Sequence, residues 1–333
     1  MKIVFVTQAA DPAHPVLGAT LAKIRALAAR TDEVVVIADA VDAGALPENC
    51  SVRTFAASAQ AARGARYLAA LAPELREDSV AVVAHMSPIF ALLAAPLTKP
   101  LGVPLLLWFT QQGSGRSLRV AERIVDRILT VDERTVPLAS AKVRAIGHGI
   151  DVGAIPCVPE RRPPLRRLLG LGRCAPVKGW ETVLRALTEL PDATFSLHGP
   201  VLTAADRAEL PRLESLAAAL GVADRVTFGG EVPYAGVPQL LGLADAVVNA
   251  TRGNAADKVV YEAAAACLPV FAASPVFDSL LPDELRFRCD DPSSLAERID
   301  GYRGGAGKKL RERVEAEHSA GHWAECVLAE AGA

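Results

Sequence analysis

The sequence lacks long apolar runs and a surplus of charge of either sign. No apolar stretch approaches the ~20 residues that a helix needs to cross a bilayer, and the start of the chain, Met1–Val6, is too short for the apolar region of a signal peptide. A net charge of −2 argues against a nucleic-acid partner. These absences favour a soluble cytoplasmic protein that associates with neither membranes nor nucleic acids.

The six cysteines are scattered along the chain, and no two of them have the spacing of a zinc site or a redox motif. We therefore expect all six to be reduced thiols, as in most cytosolic proteins. Asp290 and Asp291 precede Pro292 and two serines, a pattern typical of a loop and helix N-cap, so the sequence predicts no metal there. The six cysteines are Cys50, Cys157, Cys174, Cys267, Cys289 and Cys326.

Apolar residues make up 51% of the 333 residues, which is enough for the cores of two domains. Short apolar strands alternate with helical segments, and the alternation restarts after a linker rich in proline and arginine, Pro156–Arg167. Alternation of this kind is typical of parallel sheets covered by helices on both faces. The predicted fold class is α/β, with two Rossmann-like domains that bind ligands at the carboxyl ends of their strands.

The individual elements follow from the apolar periodicity. In the first domain the predicted strands are Ile3–Val6, Glu33–Ile37, Val80–Ala84, Leu105–Trp108, Ile128–Val131 and Val143–Ile146, and the predicted helices are Gly18–Ala29, Ile89–Ala95 and Leu118–Ile128. In the second domain the strands are Leu168–Leu171, Thr194–Leu197, Val226–Phe228, Ala246–Ala250 and Pro269–Ala273, and the helices are Trp180–Leu190, Arg207–Leu220, Val237–Ala244 and Lys258–Ala266. The chain ends in a helical run, Lys308–Ala331.

A turn rich in glycine and proline, Gly172–Gly179, lies between a predicted strand and the helix that begins at Trp180. It carries two cations, Arg173 and Lys178, beside the backbone amides of a helix N-terminus, which together suit a phosphate or diphosphate. The alternative for both cations is an ordinary surface position. Glu262, in the helix Lys258–Ala266, has a carboxylate that could accept two hydroxyl hydrogen bonds from a ribose, or could only complement the helix dipole.

Four motifs, in this order, resemble those of retaining glycosyltransferases of family 4, which have the GT-B fold. They are the hinge-like Gly147–Asp151, the diphosphate-type turn Gly172–Gly179, the nucleobase-type segment Phe228–Val232, and Asp257–Ala263 followed by Leu268–Val270. The first domain resembles one branch of this family at Thr7–Asp11, Pro15–Gly18, His85–Met86 and Leu107–Thr110. The resemblance covers nearly the whole chain and implies two Rossmann-like domains that face each other across a cleft.

The resemblance also implies that one domain binds the acceptor and the other binds the donor. An acceptor domain would span residues 1–152, joined by the C-terminal helix near residues 315–333, and a donor domain would span residues 153–314. The candidate catalytic residues are Arg173, Lys178 and His85, and the candidate acceptor-binding residues are Asp11 and Gln111. The candidate donor-binding residues are Gly18, Gly172, Gly199, Val232, Asn254, Ala255, Ala256, Asp257, Lys258 and Glu262.

Two positions depart from the family pattern. Asn254 stands where the family has the first glutamate of its Glu-x7-Glu motif, and Asn is neutral although it still donates and accepts hydrogen bonds. Gln111 stands where relatives of this branch often carry His, so no protein base is expected there.

Several candidates have a structural alternative. His85 follows a buried strand and could be a structural histidine. Gly18 could let the first helix pack closely instead of admitting a diphosphate. Asp11 could be a turn or cap residue, and Lys258 could be solvated.

The implied activity is transfer of a sugar, with retention, from a nucleoside-diphosphate sugar to a hydroxyl group of a small acceptor. A UDP-sugar is favoured, the sugar being a hexose or N-acetylhexosamine, and neither metal nor cofactor is expected because the nucleotide sugar is a co-substrate. The small, polar loops Gln8–Leu17 and Gln111–Ser117 favour a soluble acceptor over a lipid. A sugar-nucleotide epimerase of the same fold and an inactive nucleotide-sugar-binding subunit are the alternatives. The sequence does not indicate an oligomeric state.

Overall fold

The computed structural model describes residues 1–14, 16–76, 80–111 and 115–332. The chain divides into two compact units: unit 1 comprises Met1–Asp151 and Glu317–Ala333, and unit 2 comprises Val152–Ala316. Each unit is built on a parallel sheet. The predicted α/β class with two Rossmann-like domains is therefore confirmed, while the acceptor and donor roles of the domains stay predictions. Among the described residues, no helix is long and apolar enough to cross a membrane.

The described part of unit 1 forms one seven-stranded parallel sheet. Its strands are β1 (Lys2–Ala10), β2 (Glu33–Val41), β3 (Cys50–Thr54), β4 (Val80–His85), β5 (Leu105–Trp108), β6 (Arg127–Thr130) and β7 (Val143–Ala145). Their order across the sheet is β3-β2-β1-β4-β5-β6-β7. Strands covered on both faces are apolar without alternation, and Ile3, Val4, Phe5 and Val6 of β1 are completely buried. The carboxyl ends of β1, β4 and β5 consequently lie side by side.

The sheet of unit 2 has five parallel strands in the described chain. They are β8 (Arg167–Leu171), β9 (Thr194–His198), β10 (Val226–Gly230), β11 (Ala246–Asn249) and β12 (Val270–Ala272), in the order β10-β9-β8-β11-β12. Trp180 packs against Phe195 over this sheet, with 6.1 Å between the ring centroids. The carboxyl ends of β9, β8 and β11 are neighbours, so the loops that follow these three strands meet at one edge.

Helices cover both sheets. Those of the described residues are α1 (Thr20–Ala28), α2 (Gln60–Leu71), α3 (Pro88–Thr98), α4 (Arg116–Ile124), α5 (Trp180–Ala186), α6 (Ala204–Ala219), α7 (Val237–Leu243), α8 (Lys258–Ala265), α9 (Pro292–Gly301), α10 (Gly307–Glu317) and α11 (Ala320–Glu330). The C-terminal helix α11 belongs to the core of unit 1, because its Trp323 is fully buried and meets Trp108 edge-on at 5.6 Å.

Some predicted boundaries are wrong. The predicted C-terminal helical run breaks into α10 and α11, because Ser319 caps α11 by accepting a hydrogen bond from the His322 N–H. The helices predicted to end at Leu190 and Ile128 end at Ala186 and Ile124. Neither β3 nor α2 was predicted, because β3 is a partly exposed edge strand and α2 buries only Tyr67 and Leu71.

A disulfide corrects the expectation that all six cysteines are reduced. Cys157 and Cys267 are bonded across a sequence separation of 110 residues. The Val158 N–H donates to the Ala266 carbonyl oxygen at 2.9 Å, which holds the two segments together beside the bond. Spacing rules for cysteine motifs do not detect such a pair, because only the folded chain brings the two residues together. The other four cysteines are free.

Candidate active site

The turn after β8 has a firmly held backbone. The Gly172 N–H donates to the His198 carbonyl oxygen at 2.9 Å, and the indole N–H of Trp180 donates to the Arg173 carbonyl oxygen at 2.9 Å. Gly179, at φ 64°, ends the turn, and a Cβ there would lie 2.4 Å from the Ala250 carbonyl oxygen. The turn is therefore hydrogen-bonded to the end of β9 and lies directly against the loop after β11.

Lys178 is held by a carboxylate. Its Nζ lies 2.6 and 2.7 Å from the two carboxylate oxygens of Asp257, and its side chain is only 14% exposed. Asp257 also accepts hydrogen bonds from Asn249 Nδ2 at 2.8 Å and from the Thr251 hydroxyl. Burial raises the pKa of Asp257, but the Lys178 charge and these hydrogen bonds outweigh burial and lower the pKa below its usual value. Asp257 is therefore ionised at neutral pH.

Arg173 also has an acidic partner, which sequence reasoning missed. Its Nη1 lies 3.2 Å from Asp206 Oδ2, and the Asp206 side chain is 1% exposed. Asp206 forms a capping box with Thr203 at the start of α6. Burial raises its pKa, but hydrogen bonds from Leu202 and Thr203 and the Arg173 charge lower it overall. The Thr-x-x-Asp spacing is a recognisable signal for the capping box, but it does not reveal the ion pair with Arg173.

Glu262 is buried one turn into α8. Its side chain is 3% exposed, and its Oε1 lies 3.3 Å from Lys258 Nζ without accepting a hydrogen bond from any described residue. The Lys258 ammonium also lies 4.0 Å from the centre of the Tyr234 ring. Lys258 is thus engaged by a carboxylate and an aromatic face, and its contact with a phosphate or sugar stays a prediction.

Three buried polar atoms near this edge of the sheet have no hydrogen-bond partner among the described residues: His198 Nδ1, Asn249 Oδ1 and Glu262 Oε1. His198 and Asn249 end β9 and β11, and burial lowers the pKa of His198. Buried polar atoms without partners are rare in native proteins, and a ligand that binds there is a physical reason for them. Nothing in the sequence distinguishes His198 from any other histidine at the end of a strand.

The other candidate donor residues of unit 2 lie in the loops of the same sheet edge. Gly199 follows β9 and packs against Gly172. Val232 is half-buried after β10. Between β11 and α8, Asn254 is exposed, Ala255 is half-buried and Ala256 is buried. Contact of these residues with a donor stays a prediction.

The candidates of unit 1 follow β1, β4 and β5. His85, at the end of β4, is 3% exposed, and its Nδ1 lies 3.1 Å from the Thr7 hydroxyl. Burial, together with the Lys23 charge, holds the pKa of His85 well below its usual value, so the imidazole is neutral. These contacts give His85 a structural role inside unit 1, and a catalytic role stays a prediction.

The loop after β1 is a compact turn. Asp11 Oδ1 accepts a hydrogen bond from the Ala13 N–H at 2.8 Å, as in a turn residue, and the buried Gly18 donates its N–H to the His14 carbonyl oxygen. Gln111 is exposed after β5. Pro15 of the family-like motif and residues 112–114 of the predicted acceptor loop lie outside the described residues.

Within the described ranges, no three His, Cys, Asp or Glu side chains are placed to hold a metal ion together. Asp290 pairs with Arg252 at 2.7 Å. Asp291 is the N-cap of α9, where its side chain accepts from the Ser294 N–H, which confirms the N-cap prediction for this acidic pair.

Part of the chain matches a known protein family. Residues 160–300 match the family model of glycosyl transferases group 1. The GDP-mannose-dependent alpha-(1-6)-phosphatidylinositol monomannoside mannosyltransferase of Mycolicibacterium smegmatis is 31% identical over 153 residues, which are 40% of this chain and 38% of that protein. The match therefore spans well under half of the relative's length.

Solved structures resemble the chain over almost its full length. Sucrose-phosphate synthase of Thermosynechococcus elongatus has a TM-score of 0.77 at 18% identity, covering 98% of this chain and 97% of that one. HepE of Anabaena, in complex with UDP and glucose, has a TM-score of 0.76 at 17% identity, covering 98% of each chain. At these identities the likeness concerns the fold. The chain has the GT-B fold, and the match to the family model of glycosyl transferases group 1 is confined to its residues 160–300.

Proposed function

We propose that the protein transfers a sugar from a nucleoside-diphosphate sugar to a hydroxyl group of a small acceptor, with retention at the anomeric carbon. The observation that best supports this is the edge of the unit 2 sheet, where Arg173 and Lys178 are each fixed by a carboxylate and where a buried oxygen of Glu262 accepts no hydrogen bond from a described residue. A diphosphate would bind the two cations, and the ribose hydroxyls would donate to Glu262.

The proposed reaction breaks the bond between the anomeric carbon and the diphosphate oxygen, and it forms a bond from that carbon to the acceptor oxygen. The acceptor hydroxyl proton passes to the departing diphosphate on the same face of the sugar. Negative charge grows on the leaving group, so cations fixed in advance near that group stabilise the transition state more than the ground state. This scheme requires neither a protein base nor a metal or other cofactor. We also propose that the enzyme is cytoplasmic.

Two similar proteins use different donor bases. HepE of Anabaena is complexed with UDP, whereas the mycobacterial relative is GDP-mannose-dependent. We favour a UDP-sugar carrying a hexose or N-acetylhexosamine. Asn254, exposed in the loop before α8, is neutral where the family has a glutamate, so the sugar preference is expected to differ from that of relatives with the glutamate.

The test is a panel of UDP- and GDP-sugars with thermal unfolding as the first readout. A ligand that binds only the folded protein at one hundred times its dissociation constant stabilises it by about 2.7 kcal/mol. Bound donors are then followed for slow hydrolysis and for transfer to small hydroxylated acceptors. Stabilisation without hydrolysis or transfer would favour an inactive binding subunit, and isomerised donor would favour an epimerase. No stabilisation by any nucleotide sugar or nucleoside diphosphate would refute the proposal.

A further inference from the structure

We infer that Asp257 is a positioning residue: it holds the Lys178 ammonium in place for the donor diphosphate and does not itself bind the donor. This inference rests on the proposed function. It assigns to Asp257 a role different from the donor contact that the family resemblance implies. Three observations support this role: the contacts of Asp257, its negative charge and the position of Lys178.

The Asp257 carboxylate is also anchored by two neutral side chains. Its Oδ2 accepts from Asn249 Nδ2 at 2.8 Å and from the Thr251 hydroxyl, besides lying 2.7 Å from Lys178 Nζ. Asn249 and Thr251 are themselves 0% and 2% exposed. Because two buried side chains hold the carboxylate in place, the carboxylate restricts the position of the Lys178 ammonium.

Lys178 keeps donor capacity after this pairing. An ammonium has three N–H groups, and the two oxygens of Asp257 at 2.6 and 2.7 Å account for two of them. The Lys178 side chain also runs beside the diphosphate-type turn, because its Cε and Cδ lie 3.6 and 3.8 Å from the position of a Cβ on Gly172. One N–H therefore stays available next to the turn, on a side chain whose freedom is already restricted.

The charge of Asp257 argues against direct contact with the diphosphate. The Lys178 charge and the hydrogen bonds lower its pKa despite burial, so it is an ionised carboxylate, which only accepts hydrogen bonds. A diphosphate also only accepts, and the two anions repel each other. Asp257 can therefore act on the leaving group only through the ammonium that lies beside it.

The decisive experiment is a double-mutant cycle between Asp257→Asn and Lys178→Ala. In the wild-type background we expect Asp257→Asn to lower kcat/KM for the donor on the order of tenfold, because the ammonium is no longer fixed. In the Lys178→Ala background the same change should have almost no further effect on kcat/KM, because Asp257 acts through the Lys178 ammonium and this background lacks it. Thr251→Val, which removes one anchor of the carboxylate, should give a smaller loss that also disappears with Lys178→Ala.

Asp245→Asn is the matched control. Asp245 precedes β11 at the opposite edge of the same sheet, accepts from Arg167 at 2.6 Å and from the Arg166 and Arg167 N–H groups, and likewise has a lowered pKa, where hydrogen bonds outweigh burial. Loss of the Asp245 charge should lower the unfolding temperature and leave kcat/KM for the donor unchanged. Thermal unfolding of every variant shows whether it is folded, and if Asp257→Asn is not, Thr251→Val carries the test.

Equal losses from Asp257→Asn with and without Lys178 would overturn the inference, because Asp257 would then act on the donor directly. An unchanged kcat/KM in Asp257→Asn would overturn it as well. Both results leave the proposed function intact, provided that the wild-type protein binds a nucleoside diphosphate in calorimetry and turns over a donor. A wild-type protein that does neither refutes the proposed function, and the inference falls with it.

Discussion

Gly199 lies directly against the carbonyl group of Gly172: a Cβ at position 199 would be 2.0 Å from the Gly172 oxygen and 2.4 Å from its carbonyl carbon. The two glycines follow β9 and β8, which are neighbours in the sheet. Real Cβ atoms do not approach backbone atoms this closely, so only glycine at 199 lets the turn with Arg173 and Lys178 sit where it does.

We therefore expect Gly199→Ala to displace the diphosphate turn and raise the KM for the donor at least about tenfold, because misplaced donor-binding groups lose much of their effect. The matched control is Gly242→Ala in α7, where an added Cβ meets no atom within 4 Å. Alanine in a helix is favoured over glycine by about 0.5–1 kcal/mol, so the control should be slightly more stable and kinetically unchanged. The check is donor kinetics together with thermal unfolding of both variants. A wild-type KM in Gly199→Ala would show that the turn tolerates displacement.

The Cys157–Cys267 bond should contribute to the stability of unit 2. It closes a sequence separation of 110 residues, and disulfides of long loops typically stabilise by about 2–4 kcal/mol, mainly through the unfolded state. A dithiol reductant should therefore lower the free energy of unfolding of the wild-type protein. The double variant Cys157→Ser, Cys267→Ser should start from the lower value and not respond to the reductant. Urea unfolding with and without reductant measures both, and equal midpoints for the wild-type protein would mean that the bond contributes nothing in solution.

Elements with strong apolar runs were predictable because burial on both faces of a parallel sheet leaves a clear pattern. β1 and β4 are of this kind, whereas β3 at the sheet edge has no such pattern. The turn with Arg173 and Lys178 could likewise be recognised from glycine, proline and cations at short spacing. The partners of these cations could not, since Asp206 and Asp257 are 33 and 79 residues away along the chain. Contacts at that range depend on how the strands are ordered, which periodicity does not specify.

Stability should fall as the pH is lowered from about 6.5, the usual histidine value, toward 4, because of His318. This side chain is 7% exposed, and burial, with a smaller effect of the His322 charge, lowers its pKa to about 4. Between these two values the unfolded state binds a proton that the folded state does not, so the free energy of unfolding decreases with decreasing pH. The contribution is complete above pH 6.5 and amounts to a loss of about 2 kcal/mol at pH 5.

The measurement is urea unfolding at pH 7 and pH 5 for the wild-type protein and for His318→Asn. The variant lacks the titrating group and should lose less stability over this interval. Its slope will not vanish, because burial also holds the pKa of His85 well below its usual value and acts in the same direction. Identical pH dependence in both proteins would contradict the assignment to His318.

Glu262→Gln should weaken the binding of free nucleoside diphosphates as well as the use of donors. The carboxylate is 3% exposed, and its Oε1 accepts no hydrogen bond from a described residue. It can accept from two ribose hydroxyls, whereas an amide accepts through one oxygen only. Hydrogen bonds to a charged group contribute about 1.5–3 kcal/mol, so the dissociation constant should rise by roughly one to two orders of magnitude. Glu209→Gln is the control, since Glu209 is 5% exposed and pairs with Arg212 at 2.8 Å.

Ligands that lack one ribose hydroxyl test whether Glu262 binds the ribose. Nucleoside diphosphates that lack the 2′- or the 3′-hydroxyl should bind the wild-type protein more weakly than the complete ligand, because the buried Glu262 carboxylate then lacks one hydroxyl hydrogen bond. Glu262→Gln should discriminate much less between the complete and the deoxy ligands, while Glu209→Gln should discriminate as the wild-type protein does. Calorimetry measures all the combinations. If Glu262→Gln loses affinity but still discriminates as strongly as the wild-type protein, the ribose hydroxyls bind elsewhere, and Glu262 acts by holding Lys258 at 3.3 Å.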